Sequence, residues 1–201
     1  MSNIDENIPN DPQPIYGKGL INTYYEGTWS SLSHFLKLDP STRQQPNPSI
    51  IDHVSIDRYR GRDNSGVVQE GYLSLNELGI YTFKLWSGNG SRLYIDNILL
   101  INNNGKHPPQ DQYDKISLKS GYHFRKVTYF KAEGGELLYL QYSIKGRPFQ
   151  NLDQNKLCHR NIGNELPTEP CFPEDPDDSP DECPANWNHA NSGTIQLQVD
   201  L

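Results

Sequence analysis

From Tyr81 to Ile101 the chain reads in short runs of apolar and polar residues, each stopped by glycine or by an Asp-Asn pair. Tyr81-Thr82-Phe83-Lys84-Leu85-Trp86 alternates as a strand does, Ser87-Gly88-Asn89-Gly90 breaks it, and Leu93-Tyr94-Ile95 resumes. Asp96-Asn97 then predicts a turn into Ile98-Leu99-Leu100-Ile101. Elsewhere Leu73-Ser74-Leu75 predicts a short strand ending in a turn at Gly79, and Val54, Ile56 and a tyrosine predict a strand over 52–60. Lys126–Phe130 and Leu137–Tyr142 read as two buried strands around a Gly134-Gly135 hairpin. Residues 39–49, with Pro40, Pro46 and Pro48, predict a long loop. Short strands divided by Gly- and Pro-bearing turns predict an all-β fold, an antiparallel β-sandwich.

Composition points the same way. The chain has 16 Gly, 15 Pro and 12 Tyr with a single Met, so it is poor in helix formers and rich in strand and turn residues. No run approaches the ~18 apolar residues of a membrane span, so no membrane insertion is expected.

The net charge of −7 is unevenly spread. Residues 161–201 hold nine acids and no Lys or Arg, leaving 16 acids against 18 bases in residues 1–160, a net +2. Neither part has the basic balance of a nucleic-acid binder. Four segments follow: a flexible lead-in over 1–15, a sandwich over 16–160, an acidic Pro-rich linker over 161–194, and an alternating stretch over 195–201. That last stretch reads as a returning sandwich strand or as the first strand of a neighbouring domain. Cys158, Cys171 and Cys183 lack zinc spacing and suggest one disulfide plus a cysteine without a partner, with three reduced thiols as the alternative. The first residues show no signal peptide.

A series of motifs occurs in order: Gly19-Leu20 with Tyr24-Tyr25-Glu26-Gly27, Gly71-Tyr72-Leu73 with Gly79-Ile80-Tyr81-Thr82-Phe83, and Ser91-Arg92-Leu93-Tyr94-Ile95-Asp96. Leu118-Lys119-Ser120-Gly121-Tyr122-His123 and Tyr129-Phe130-Lys131-Ala132-Glu133-Gly134-Gly135 complete it. Over roughly residues 16–157 this order resembles the PA-fourteen domain family, β-sandwiches named after the anthrax protective antigen and found in flocculins, fungal adhesins and glycosidases.

The resemblance implies where a ligand would sit. In sugar-binding members the loop matching Ser87–Gly90 carries two consecutive aspartates, often joined by a cis peptide, which hold calcium and sugar hydroxyls together. Calcium takes six to eight oxygens, and here Gly88 and Asn89 stand in place of both carboxylates. A second loop of such members matches 145–155, where Asn151 and Asp153 offer oxygens, so Asn89, Asn151 and Asp153 form the implied metal set. The competing readings are a metal-free loop and an ordinary Asx turn at Asn151-Leu152-Asp153.

Aromatic rings give a second route to sugar, since the apolar face of a pyranose stacks on them. Trp86 borders the central loop, while Trp29, Tyr59 and Tyr113 lie in or near loops; a tryptophan ending a strand also reads as core. Asn104 and His107 lie in a polar stretch whose amides suit hydroxyls or simply face water. The ligand set is thus Trp86, Gly88, Asn89, Asn104 and His107, with Asp96 assigned to hold its turn. Asn89-Gly90-Ser91 is also a glycosylation sequon.

No G-x-S-x-G, H-E-x-x-H or P-loop occurs, so a catalytic role is not expected. The expectation is an extracellular carbohydrate-recognition or adhesion module, with calcium assistance and a metal-free loop both open, one monomeric unit of a larger protein with a cell-surface glycan as partner. The alternative is a protein-contacting or architectural sandwich that binds neither sugar nor calcium.

Overall fold

A computed structural model describes residues 16–35, 48–59, 61–132 and 137–160. In chain order the elements are β1 (Tyr16–Lys18), β2 (Leu20–Glu26), a single helical turn α1 (Leu32–Phe35), β3 (Ser49–Ile51), β4 (Ser65–Leu75) and β5 (Gly79–Ser87). They continue with β6 (Ser91–Ile95), β7 (Ile98–Asn103), β8 (Gln110–Leu118), β9 (Gly121–Lys131), β10 (Leu138–Ile144), β11 (Gln150–Asn151) and β12 (Leu157–Arg160). All pairings are antiparallel. One sheet of eight strands runs β1-β12-β4-β9-β6-β7, with β2 beside the first half of β4 and β3 beside β2. The other, of four strands, runs β11-β10-β5-β8.

Residue parity decides what lies between the sheets. Tyr81, Phe83 and Leu85 of β5 and Leu138, Leu140, Tyr142 and Ile144 of β10 point inward, against Val67, Leu73 and Leu75 of β4, Leu93 and Ile95 of β6, and Val127 and Tyr129 of β9. Each such side chain contributes about 1.5–3 kcal/mol by leaving water. The opposite parity of the eight-stranded sheet carries Val68 and Phe130, which join Trp29, Leu32 and Ala132 in a second cluster.

Three expectations change in the structure. The segment expected as a strand over 52–60 instead bends and closes in a 3₁₀ turn, Asp57–Tyr59, because Ser55 Oγ accepts from the Asp57 amide at 3.0 Å and Tyr59 stacks inward on Tyr24 at 4.2 Å. Leu73–Leu75 is the end of an eleven-residue strand rather than a strand of its own. The two strands read as a hairpin do not pair, since β9 lies in one sheet and β10 in the other, and Gly134-Gly135 themselves lie outside the described residues. Cys158 sits within the sandwich, in β12. The lead-in, the Pro-rich linker, the terminal alternation, most of the long loop, Cys171 and Cys183 lie outside the described residues.

Candidate functional site

Ser87–Gly90 is one of the crossings between sheets, because β5 and β6 belong to different ones. Such a crossing caps the sandwich end and closes over its own backbone. Gly88 N donates to Leu137 O at 3.1 Å, Asn89 N to His107 O at 3.0 Å, and Phe130 N to Gly90 O at 3.0 Å. Ser87 Oγ meets Ser91 Oγ at 2.6 Å and receives Asn103 Nδ2 at 3.0 Å. The loop where the resemblance places a ligand is therefore interior: Asn89 is 5% exposed, with φ +69°, and the Gly88–Asn89 peptide is trans. The sequon asparagine is buried with it.

The structure gathers Gly88, Asn89, Asn104 and His107 at one end of the sandwich, but commits the latter two to the protein. Asn104 Oδ1 accepts from Leu32 N at 2.8 Å and its Nδ2 donates to Ser31 Oγ at 3.0 Å, so it fixes the start of α1. His107 places Nε2 3.0 Å from Asn103 O and Nδ1 2.8 Å from Pro108 O. Asp96 holds its turn: Oδ1 accepts from Phe124 N at 2.9 Å and Oδ2 lies 2.7 Å from His123 Nδ1.

Two of the implied calcium donors, Asn151 and Asp153, are engaged by neighbouring groups of the protein. Asn151 is opposite Gln141, which is opposite Lys84, three residues before Ser87. At ordinary strand spacings that puts Asn151 about 14 Å from Ser87, where the Asn89 loop begins. Asn151 Oδ1 accepts from Gln141 Nε2 at 2.9 Å, and Asp153 caps a 3₁₀ turn by accepting from Asn155 N at 2.9 Å. Among the described residues no group of three or more His, Cys, Asp or Glu gathers.

Trp86 lies elsewhere than the core. Since Tyr81, Phe83 and Leu85 face inward, parity turns Trp86 outward, onto the open face of the four-stranded sheet. There it pairs across strands with Tyr139, rings 5.6 Å apart and 29° from parallel. Tyr113 and Phe149 share this face with rings 5.8 Å apart, and all four aromatics are between 39% and 52% exposed. Asp111 accepts from Tyr113 Oη at 2.5 Å and so raises the phenol pKa. Trp29 and Tyr59, the other rings marked in the sequence, are buried. Tyr139 and Phe149 went unmarked, although Leu138, Leu140 and Tyr142 as inward positions fix Tyr139 as outward. A separate cleft of about 630 Å³ beside β3, lined by Lys18, Asp52, His53, Asp57 and Arg58 among others, presents no Trp, Tyr or Phe ring.

A family model described as PA14 domain matches residues 17–151. No curated protein matches the sequence. Similar solved structures include an anti-sigma factor domain-containing protein, 19% identical with a TM-score of 0.61 over 75% of this chain and 51% of its own. This chain thus spans about half the length of that protein. The PA14 domain of the MpAFP antifreeze protein is 18% identical with a TM-score of 0.57, over 78% of this chain and 96% of its own. The PA14 sugar-binding domain from an RTX adhesin is 18% identical with a TM-score of 0.57, over 71% and 98%. At these identities the likeness is one of fold. The model match, however, runs from β1 through β11, and this chain belongs to the PA14 domain family.

Proposed function

We propose that this domain is a carbohydrate-recognition module of an extracellular or cell-surface protein, and that it holds sugar without calcium. The observation that carries the reading is the exposed Trp86–Tyr139 pair, apolar ring surface of the kind a pyranose ring covers. A structurally similar domain named as sugar-binding, from an RTX adhesin, supports the substrate class. The buried Ser87–Gly90 loop and the separated donors support the metal-free form.

A glycan array probed in EDTA tests it. Binding is expected to survive the chelator and to weaken about tenfold or more in Trp86→Ala, the loss typical of a central aromatic anchor. Binding that needs calcium sinks the metal-free reading. An empty array from folded protein favours the protein-contacting module instead.

A further inference from the structure

We infer that the open face of the four-stranded sheet is an extended platform for a linear, uncharged, β-linked polysaccharide, with one pyranose on Trp86–Tyr139 and another against Tyr113–Phe149. The inference rests on the carbohydrate reading above and specifies its ligand. Tyr113 is opposite Lys84, two residues before Trp86 on β5. The second ring pair therefore begins about 7 Å farther along the strands, beside the first. Its rings meet at 59°, a floor and a side wall, and Lys84 Nζ lies 5.3 Å from the centre of Phe149.

The chemistry between the rings selects the occupant. On this face the positions around the aromatics are Thr82, Lys84, Asp111, Lys115, Gln141 and Ser143, and one exposed aliphatic side chain, Ile80, follows beyond Thr82. The centre of a protein contact is depleted in charge, whereas here charges and amides interleave with the rings. Two lysines and one aspartate nearly balance, and the aspartate already accepts from Tyr113, which suits an uncharged ligand. The Gln141–Asn151 bond uses one donor and one acceptor, leaving Gln141 Oε1 and Asn151 Nδ2 for hydroxyls at the rim of a sugar ring. Equatorially substituted pyranoses in β linkage present flat C–H faces to the floor and hydroxyls to the sides. Two ring pairs in succession along the strands suit the interior of such a chain, not only its terminus.

Calorimetry of the full chain in EDTA with the ladder from cellobiose to cellohexaose tests this. Affinity is expected to climb with chain length. Tyr113→Ala should cost cellohexaose about tenfold while leaving cellobiose within about twofold, Tyr113→Phe should retain binding, and Trp86→Ala should weaken every member. These side chains are exposed, so an unchanged urea transition verifies the fold of each variant. Affinity independent of length, or indifferent to Tyr113→Ala, overturns the extended platform; if the array still depends on Trp86, the carbohydrate reading itself survives. No binding of any ladder member also overturns it. Self-association abolished by Trp86→Ala would show that a second copy covers this face and would overturn it too.

Discussion

Gly90 shows how tightly the sheet crossing is closed. A methyl group built there would lie 2.2 Å from Phe130 Cε1 and 2.8 Å from Cδ1, and that ring is fully buried among Trp29, Leu32 and Val68. The neighbour in the way is a packed ring rather than the free end of a chain, so it has little room to yield. Gly90→Ala is expected to cost about 1–3 kcal/mol, as overpacked core positions do. Urea denaturation measures it, and a variant as stable as the parent would show that Phe130 has room to swing. Asn89, one residue earlier, takes a left-handed backbone, which asparagine tolerates better than most residues. The motif that reads as a displayed ligand loop is, residue by residue, a sealed corner.

At the scale of elements, the β6–β7 hairpin is tied to β9 by the Asp96 carboxylate through His123 and Phe124. Burial alone would lower the His123 pKa, but the Asp96 bond and the Lys119 carbonyl, 3.0 Å from Nε2, outweigh it and the net shift is upward. A raised folded pKa means stability that is complete below the ordinary histidine value near 6.5 and is lost as pH climbs through the folded value. The urea midpoint should therefore fall as pH rises from below 6.5, and His123→Phe should flatten that decline; parallel profiles in the two proteins would refute the assignment. The sequence disclosed β5, β6, β7 and this turn because one apolar face and two turn residues suffice to define them. It concealed β8, whose inward positions Gln112 and Asp114 are polar because they lie at the open edge of the sheet. It also concealed the aromatic platform, since Tyr139, Tyr113 and Phe149 lie far from Trp86 along the chain and meet it only through strand pairing. The depth of Ser87–Gly90 was hidden for a related reason: a polar loop looks alike whether it crosses between sheets or projects from one.

For the whole molecule, the decisive strand is the last described one. β12 sits between β1 and β4, pairing Cys158 with both Lys18 and Tyr72, and Leu157 joins the core. A chain ending at Arg160 keeps every pairing described here and is expected to unfold in one cooperative transition, whereas a chain ending at Lys156 strands β1 and should lose it. Denaturation followed by circular dichroism checks both, and a cooperative transition in the shorter chain would remove β12 from this role. The pairing of Tyr16 with Arg160 also brings the entry and exit of the sandwich to one strand spacing apart. Pulled apart by those two points, the domain would open like a zipper, breaking the β1–β12 hydrogen bonds one after another instead of shearing them together. A tether attached there would yield at low force. A load carried between the ligand face and only one of those points would bypass the zipper and reach the interior strands in shear.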